Sequence, residues 1–594
     1  MGIILGIGWG HDSSVSLIKD GELICAIEEE KISRKKSENG FPKMALDLIL
    51  KTYNITPQEV SLIAIPDRLY DSKSCTEIAF RMTKIKIFRI IEYFRRLFVY
   101  FFNLENSFSE KNKKCFEWWI RKFYKFKKAE IIYFDHHLCH ASGALCTSAF
   151  KPDLIITCDG RGEQDSFNAY KISDSELPML FHSNDYNVSI GQLYSVVTNF
   201  LGFIPNRHEG KVMGLAARGK TSSLFQNMAK LYYYDSNNNL ARRPETNEYD
   251  FFLLPKYLQL KLSTSVNKIG FTYAKKSLWL KNWLEINSKN SSREEIAFAV
   301  QKTTEKVVLE EIRKIIEKNG CDSIKLALSG GVFANVVLNK KILELHTVDQ
   351  LFIQPAMSDA GLSLGAAYLA MKSKNPKINF ALKDTYLGPT DQTDFENLIP
   401  FISKDFEINN FEDIYDQISN LLINNKIIGL FNGRNEFGPR ALGNRSIIAC
   451  ANSNEMHDLL NERLKRNDFM PFAPSILQSL APDYLEDYHE NITAAEYMTL
   501  TFKVKDKIKD KIKAAVHIDG TARPHIVNFE KNKHFFLIIQ SYYNKTGIGV
   551  VLNTSFNVHE EPIVSNYLTA LSALKVGRID FLNIGNYLLN RRNL

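Results

Sequence analysis

The stretch IILGIGWGHDSSVSLIKDGELICAIEEE, residues 3–30, contains two apolar, strand-like runs that a glycine-rich turn joins. A second turn, KDG, leads into a third run, so the pattern predicts a meander of three β-strands. The glycine-rich turn spans residues 6–14, where closely spaced backbone amides are suited to face an anion. This unit therefore predicts a sheet with a candidate binding loop at its edge.

Two later stretches repeat the pattern of a strand followed by glycines. DLIITCDGRGEQDSFNAYKI, residues 153–172, has a strand, a glycine-rich turn and a second strand. IKLALSGGVFANVVLNKKI, residues 324–342, passes from a strand through two glycines into a helix, and such helix N-termini bind phosphate. One such turn alone predicts little. Three in this order predict an α/β chain with a duplicated actin-like ATPase fold, in which two βββαβα halves close on a nucleotide.

The length and composition limit the class of protein. A chain of 594 residues is too long for one ordinary domain and predicts two or more. Its eight cysteines include no C-x-x-C pair, and the start MGIILGIGWG does not resemble a signal peptide. We therefore expect a cytoplasmic protein without a zinc ribbon. No apolar run approaches the ~20 residues that a membrane-spanning helix needs.

The net charge of +8 is concentrated in one segment. Residues 81–128 contain 14 Lys and Arg against 4 Asp and Glu, so the remainder of the chain is slightly acidic. The segment also carries 14 aromatic residues, and we interpret it as an insertion. One interpretation is a helical hairpin packed on its parent domain. A second is peripheral contact with anionic lipid or a lipid-linked acceptor at the inner membrane face, and nucleic acid is the least favoured partner.

A change of composition marks a domain boundary. Between residues 372 and 390 the chain loses apolar periodicity and gains Lys, Asn and Pro. We therefore predict an N-terminal domain at 1–375 and a C-terminal domain at 386–594. The centre of the second domain is GRNEFGPRALGNRSIIA, residues 433–449, in which arginines alternate with turns set by Gly and Pro.

The motif DHHLCHA contains three histidines, of which His136 and His140 lie on one face of a helix. Two imidazoles at this spacing share a metal ion only when other residues complete the site; otherwise the pair is structural. Asp159 and Asp359, each in a glycine-rich turn, are the candidate carboxylates. The sequence therefore predicts a His/Asp metal site that suits iron, manganese or zinc.

Basic residues of the second domain predict a pocket for a dense polyanion. Arginine forks match phosphate and carboxylate geometry, although a single arginine is more often part of a surface ion pair. The candidates lie in or near turns of small residues, and they are Arg434, Arg440, Arg445, Lys465, Arg466 and Arg523. The motif LNTSFNVHEEPIV adds neutral groups suited to a carbamoyl group or an adenine edge, namely Asn553, Ser555 and Asn557.

The motif GHDSS places His11 in the first glycine-rich turn. Its imidazole either hydrogen-bonds backbone or acts as a general base. The second interpretation is chemically reasonable because the unperturbed pKa of histidine is ~6.5.

A series of motifs resembles the O-carbamoyltransferase family, whose members modify nodulation factors, aminoglycosides, ansamycins and other sugars or polyols. The motifs are, in order, GHDSS, AIEEEKISRKK, DHHLCHA, CDGRGE, GQLYSVVTNFLGF, RHEGKVMGLAARG, LSGGVFANVVLNKKI, GRNEFGPRALGNRSI, MPFAPSIL, HIDGTARP and LNTSFNVHEEPIV. They cover nearly the whole chain apart from the basic insertion. The resemblance implies an N-terminal domain similar to the tRNA threonylcarbamoyl-transfer enzymes and a YrdC-like α/β C-terminal domain.

The resemblance also implies a reaction. In this family the YrdC-like domain converts carbamoyl phosphate and ATP, with Mg²⁺, into carbamoyl adenylate. The actin-like domain then transfers the carbamoyl group to a hydroxyl of a sugar, glycolipid or polyol. Carried over by motif, the metal ligands are His136, His140, Asp159 and Asp359; the adenylate site has Lys211, Gly330, Gly331 and Asn335; carbamoyl phosphate and the ATP phosphates contact Arg434, Arg440, Lys465, Arg466 and Arg523; and His11 serves in transfer.

Two positions depart from the family pattern. Asn467 stands where the family has an acid, and Met470 stands where it has an arginine. We expect either that neighbouring residues compensate or that the affinity for carbamoyl phosphate is reduced.

Two alternative functions remain at this point. One is a maturation factor that transfers carbamoyl to a protein or tRNA, but the hydrogenase type normally carries an acylphosphatase domain and zinc-finger cysteine pairs that this sequence lacks. The other is a non-enzymatic, actin-like nucleotide-binding scaffold. Such a scaffold would need neither the His/Asp set nor the arginine-rich second domain.

Overall fold

The computed structural model describes residues 2–66, 105–162, 164–173, 176–243, 268–378, 382–389, 394–466 and 472–592. Two five-stranded sheets come first along the chain, and an eight-stranded sheet follows. The helices that precede the eight-stranded sheet are α1 (Glu29–Ser33), α2 (Lys43–Thr52), α3 (Glu105–Phe123), α4 (His136–Thr147), α5 (Ile190–Phe200), α6 (Glu209–Ala216), α7 (Ser223–Ala229), α8 (Lys268–Asn287), α9 (Arg293–Asn319), α10 (Val336–Leu343) and α11 (Leu362–Lys374).

The first sheet forms from the predicted meander and two further strands. Its strands are β1 (Ile3–Gly8), β2 (Ser14–Lys19), β3 (Glu22–Glu28), β4 (Val60–Pro66) and β5 (Glu130–Phe134). Their spatial order is β3-β2-β1-β4-β5. The first three strands are antiparallel neighbours, whereas β4 and β5 run parallel to β1.

The second sheet repeats this topology. Its strands are β6 (Leu154–Cys158), β7 (Asp165–Ile172), β8 (Pro178–Asp185), β11 (Ile324–Ser329) and β12 (Val348–Ile353), and a small ribbon of β9 (Tyr232–Tyr234) and β10 (Leu240–Arg242) lies between them in sequence. The order β8-β7-β6-β11-β12 and the strand directions match the first sheet strand for strand. The duplicated, actin-like α/β fold is therefore confirmed.

The third sheet is mixed and belongs to the C-terminal part. Its strands are β13 (Phe406–Asn410), β14 (Ile428–Phe431), β15 (Arg445–Ala449), β16 (Ala473–Leu477), β19 (His525–Val527), β20 (Val550–Ser555), β21 (Phe581–Ile584) and β22 (Tyr587–Arg591), while β17 (Phe502–Lys503) pairs with β18 (Thr521–Ala522). The spatial order is β13-β22-β21-β14-β15-β20-β16-β19. The accompanying helices are α12 (Phe395–Ile402), α13 (Ile414–Ile423), α14 (Asn454–Arg463), α15 (Ala481–Tyr484), α16 (Asp506–Lys509), α17 (Lys533–Thr546) and α18 (Tyr567–Lys575). The domain bounds at 1–375 and 386–594 stay a prediction.

Helices α4 and α11 pack against each other, and α11 also lies against the first sheet. Two glycines make this close approach feasible: a Cβ at Gly6 would overlap the Ser363 carbonyl oxygen, and one at Gly365 would overlap the Cys139 carbonyl oxygen. Because α4 begins with the histidines and α11 directly follows Asp359, this packing places the candidate metal ligands together.

Part of the basic insertion lies within the described residues. Helix α3 buries Phe116 and Trp119 in the core of the first sheet, where Phe116 contacts Trp9 edge to face at 4.3 Å. This agrees with packing on the parent domain, whereas residues 81–104 lie outside the described ranges. Among the described residues, no helix is both long enough and apolar enough to cross a bilayer.

Candidate functional site

The first turns of α4 carry two fully buried imidazoles that meet two carboxylates. The Nε2 atom of His140 lies 3.2 Å from Asp159 Oδ2 and 3.6 Å from Asp359 Oδ1. The Nε2 atom of His136 lies 3.7 Å from each of these oxygens. The Asp135 side chain caps the helix by accepting from Leu138 N, which fixes the start of the turn that presents both rings.

This geometry fits one transition-metal ion. A metal binds imidazole nitrogen and carboxylate oxygen at ~2.0–2.2 Å, so two ligand atoms on one ion lie roughly 3–4 Å apart. The four candidate atoms all lie within 4.8 Å of one another. Both imidazoles are fully buried, whereas the Asp159 and Asp359 side chains are 18% and 11% exposed. The cluster is thus open on the carboxylate side, where a reactant can approach.

The surrounding groups orient the rings. The Nδ1 atom of His140 lies 3.1 Å from Ser329 Oγ, and this hydroxyl donates to Gln354 Oε1. The neighbouring His137 turns away, as expected, with its Nδ1 2.8 Å from Thr157 Oγ1. Partners of this kind fix the tautomer of a metal-ligating histidine.

The pKa values of the cluster are shifted by contacts between its carboxylates and imidazoles. Burial opposes the charged form of Asp159, but hydrogen bonds from His136 and His140 bring the pKa of this carboxyl well below its usual value. Burial likewise opposes a charge on His140, yet its bonds to Asp159 and Asp359 raise the pKa of the imidazole. The carboxylates therefore lie where positive charge is favourable, and a divalent metal supplies such charge when bound.

The third glycine-rich turn lies beside the cluster. Gly330 has φ +106°, and a Cβ there would overlap the Cys158 carbonyl oxygen, so only glycine fits. A Cβ at Gly331 would lie 3.4 Å from Asp159 Oδ1, so this turn directly adjoins the carboxylate. Asn335 caps α10 by accepting from Leu338 N at 3.0 Å. The predicted nucleotide turn and the predicted metal ligands are therefore neighbours.

The first glycine-rich turn also reaches this region. Ser14 Oγ donates to the Ala360 carbonyl oxygen at 2.7 Å, next to Asp359 in the chain. His11 lies three residues before Ser14, and its Nδ1 is 3.2 Å from Asp12 Oδ2. Burial raises the pKa of Glu209, the first residue of α6, and a lesser interaction with His11 acts in the opposite direction, so His11 lies near the start of α6.

Lys211, on α6, faces the C-terminal part of the chain. Its Nζ lies 3.1 Å from His559 Nε2. The adjacent His208 and Arg207 both contact Glu560. The structure therefore places Lys211 at the junction of the two parts of the chain, and its role toward a nucleotide stays a prediction.

Three arginines cluster in the C-terminal part. Arg440 and Arg466 are near enough to Arg523 for their charges, added to the effect of burial, to bring its pKa well below the usual value. Burial lowers the pKa of Arg440 to about 10. The Nε atoms of Arg440 and Arg523 are buried without a hydrogen-bond partner, and neither guanidinium forms a salt bridge within the described residues. Repelling cations with unused donors form a site that suits a polyanion.

Polar groups of β20 border this cluster. Arg466 Nη2 donates to Ser555 Oγ at 3.1 Å and to Asn557 Oδ1 at 3.3 Å. Asn553 is on the same face of the strand as Ser555, and its amide donates to the Ala441 carbonyl oxygen at 3.1 Å. Its Oδ1 is buried and has no hydrogen-bond partner among the described residues. The structure thus brings together most of the predicted phosphate and amide-binding residues, while Lys465 is exposed at the edge.

Models of known protein families match both parts of the chain. A family model described as the carbamoyltransferase N-terminus matches residues 3–368, and one described as the carbamoyltransferase C-terminus matches residues 419–591. The chain belongs to the carbamoyltransferase family. The resemblance predicted from the motifs is confirmed.

Relatives match this carbamoyltransferase over most of its length. An uncharacterized protein of Methanocaldococcus jannaschii is 34% identical and covers 99% of this chain and 100% of its own. The nodulation protein NolNO of Sinorhizobium fredii is 28% identical over 98% of this chain and 79% of its own. Two solved structures are each 12% identical with a TM-score of 0.32. They are an activator of the 2-hydroxyisocaproyl-CoA dehydratase from Clostridium difficile with bound ADPNP, covering 62% of this chain and 95% of its own, and HypF of T. kodakarensis, covering 63% and 48%.

Two predicted polyanion ligands of the carbamoyltransferase have other contacts. Arg434 donates to the carbonyl oxygens of Ile24, Leu387 and Gly388. Arg445 is fully buried and donates to the carbonyl oxygens of Asn432, Gly433 and Asn444. Both guanidinium groups hold main chain in place, and a phosphate contact for Arg434 stays a prediction.

Two residues that support the metal-ligand cluster have no signal in the sequence, and two residues that depart from the family pattern have no described position. Ser329 contacts His140, and Gln354 contacts Ser329, but both residues are distant from His140 in the sequence, so no local pattern marks them. Asn467 and Met470, which depart from the family pattern, lie outside the described residues.

Proposed function

We propose that this carbamoyltransferase is an ATP- and metal-dependent O-carbamoyltransferase that uses carbamoyl phosphate. The single observation that carries the proposal is the pairing of two different sites in one chain. One is the His/Asp cluster beside a glycine-rich turn. The other is the arginine cluster, in which the Nε atoms of Arg440 and Arg523 are buried with no hydrogen-bond partner among the described residues. Making an activated carbamoyl group needs a phosphate pocket, whereas using it needs a site that polarises a carbonyl.

In the first half-reaction, carbamoyl phosphate is hydrolysed to carbamate and phosphate. A carbamate oxygen then attacks the α-phosphorus of ATP, the bond to the β-phosphate breaks, and pyrophosphate leaves with its Mg²⁺. We assign the binding of the phosphates to Arg440, Arg466 and Arg523, with Lys465 at the edge. The guanidinium groups of the three arginines offset the negative charge that builds up on the phosphoryl oxygens. Asn553, Ser555 and Asn557 are suited to hold the carbamoyl amide.

In the second half-reaction, an acceptor hydroxyl attacks the carbonyl carbon of carbamoyl adenylate and AMP leaves. We assign the removal of the hydroxyl proton to His11, and the adenylate to the turn with Gly330, Gly331 and Asn335. His136, His140, Asp159 and Asp359 fit a transition metal, which when bound supplies Lewis-acid polarisation. The buried imidazoles also keep water away from one side of the site.

The alternatives are less well supported. A nucleotide-binding scaffold has no need for buried arginines whose repulsion reduces stability. A maturation factor for a protein or tRNA shares the chemistry but requires a macromolecular acceptor. We favour a sugar, glycolipid or polyol acceptor, and we place the reaction in the cytoplasm, where ATP and reduced cysteines are found.

The direct test is a half-reaction assay. With carbamoyl phosphate, ATP and Mg²⁺, the protein is expected to release phosphate and pyrophosphate in equal amounts and to accumulate AMP only when an acceptor or water consumes the adenylate. Omission of carbamoyl phosphate is the control, because an ATPase would release ADP without it. Formation of ADP instead of pyrophosphate would contradict the proposal.

We further propose that the outer face of α3 meets an anionic membrane that presents the acceptor. Trp118 and Phe123 are 56% and 51% exposed, and Lys122 lies 4.6 Å from the Trp118 ring centroid. Lys114 and Lys125 are also exposed. Exposed aromatics combined with lysines suit the interface of an anionic bilayer.

Vesicle sedimentation tests this face. The double variant Trp118→Ser/Phe123→Ser is expected to weaken binding to phosphatidylglycerol-containing vesicles roughly 10–100-fold, because full burial of one such ring contributes ~1.5–3 kcal/mol and about half of each ring is still exposed in the free protein. Phe401→Ser removes a ring that is 73% exposed elsewhere and should leave binding unchanged. Equal binding of the native protein to neutral and anionic vesicles, or binding to neither, would refute this contact.

A further inference from the structure

A buried ion pair of the first sheet holds a loop of the C-terminal part. Lys31 on α1 is 2% exposed, and its Nζ lies 2.9 Å from Glu28 Oε2. The same ammonium donates to the carbonyl oxygens of Glu436 and Gly438. Gly438 N in turn donates to Glu28 Oε1 at 2.6 Å. Three hydrogen bonds thus join this pair to residues 436–445, which we call the 436–445 loop.

The loop is ordered around one buried carboxylate. Glu436 is 1% exposed, and its Oε1 accepts from the backbone N–H groups of Leu442, Asn444 and Arg445 at 2.9, 3.0 and 3.1 Å. Arg440 lies in the sequence between Glu436 and the three residues whose N–H groups donate to Glu436. The position of the Glu436 backbone, which Lys31 binds, therefore sets the conformation of the segment that presents Arg440.

The other side of the loop touches the metal-ligand region. Gly438 has φ +117°, and a Cβ there would lie 2.7 Å from the Pro355 carbonyl oxygen. Phe437 packs in one core cluster with Ala356 and Leu362, which flank Asp359 in the chain. One loop is therefore held between the ion pair and the turn of Asp359, while its middle residue belongs to the arginine cluster.

We propose that Glu28 and Lys31 are positioning residues for the arginine cluster: they hold the 436–445 loop, and with it Arg440, in the conformation that binds phosphate groups. This rests on the proposed function only in taking the cluster as the phosphate site. The anion site of the C-terminal part is then built with the help of the N-terminal part. In this arrangement Glu28 and Lys31 contact no reactant, but they control the affinity of the arginine cluster for carbamoyl phosphate.

Amide hydrogen exchange tests the positioning without any reactant. In Lys31→Met, the Leu442, Asn444 and Arg445 amides are expected to exchange at least tenfold faster than in the native protein. Lys372→Met is the matched control, because Lys372 is also a buried lysine whose Nζ donates to a carbonyl oxygen, that of Pro376 at 2.6 Å. It should lower the melting temperature similarly but leave exchange of the loop unchanged.

Titration with inorganic pyrophosphate provides the second measurement. Its dissociation constant is expected to rise roughly 10–100-fold in Lys31→Met and to stay native in Lys372→Met, by analogy with the effect of residues that orient metal ligands on metal affinity. Loop exchange and pyrophosphate affinity that are the same in both variants would overturn the proposal and leave Lys31 a purely structural residue. Should the native protein fail to bind pyrophosphate, the phosphate site fails, and loop exchange alone then decides whether the pair positions the loop.

A second variant covers the case in which Lys31→Met does not fold. Glu28→Gln keeps the size of the side chain and an oxygen for Gly438 N, but it removes the charge that holds Lys31. We expect faster exchange at Gly438 and a weaker, several-fold loss of pyrophosphate affinity. Native behaviour in both measurements would overturn the proposal.

Discussion

Replacing Arg440 by alanine is expected to lower carbamoyl-phosphate-dependent pyrophosphate release by ~10³ or more, because arginines at transferring phosphoryl groups have effects of this size. The same change should leave the melting temperature unchanged or raise it. Arg440 repels Arg523, and its buried Nε has no hydrogen-bond partner in the part of the chain that the structure describes, so the native fold gains little from it. A coupled pyrophosphate assay and calorimetry measure the two effects.

Arg463→Ala provides the contrast. Arg463 forms an ion pair with Asp580 at 2.7 Å in the same part of the chain. Its loss should lower the melting temperature while the rate of pyrophosphate release stays native. A large loss of stability in Arg440→Ala, or a native rate, would show that Arg440 is structural and that the phosphates bind elsewhere.

Replacing His136 by alanine should separate the two half-reactions. One of four ligands to the metal is lost, so bound metal should fall below one tenth of the native content, as measured by elemental analysis. Transfer to the acceptor should fall by ~10²–10³, because that step loses its carbonyl polarisation. Pyrophosphate release in a single turnover should stay within about twofold of the native rate, since the arginine cluster is a separate set of residues.

His137→Gln is the matched control on the same helix. The His137 ring is equally buried but contacts Thr157 and the Asp165 carbonyl oxygen instead of the carboxylate pair. This variant should keep its metal even where it loses stability. Equal loss of metal in the two variants, or transfer at the native rate by His136→Ala, would exclude the His/Asp assignment.

Much of the N-terminal site could be predicted because its residues lie in local patterns. His136 and His140 are one helical turn apart, and helix geometry alone puts them on one face. Asp159 and Asp359 come after β6 and β12, which flank β11 in one sheet and run in the same direction, so both follow strand ends at one edge of that sheet. The closely spaced glycines that follow the strands indicate tight turns, and such glycines can be recognised from the sequence alone. Their metal and nucleotide roles remain predictions.

The C-terminal site was harder to predict because arginines in the same motif can have different roles. Arg434, Arg440 and Arg445 lie in one motif, yet carbonyl oxygens surround the first and last of them while Arg440 faces other arginines. The difference comes from neighbours distant in sequence, such as Ile24 beside Arg434. For the same reason, the contact between Lys211 and His559 could not be predicted from a local sequence pattern.

The basic insertion connects two strands that are direct neighbours in the first sheet, since Pro66 of β4 pairs with Phe134 of β5. A connection between adjacent parallel strands varies in length and content without disturbing the sheet. Chimaeras that exchange this segment between family members therefore test whether it affects acceptor choice. Such grafts must keep Phe116 and Trp119, whose rings anchor the segment beside Trp9.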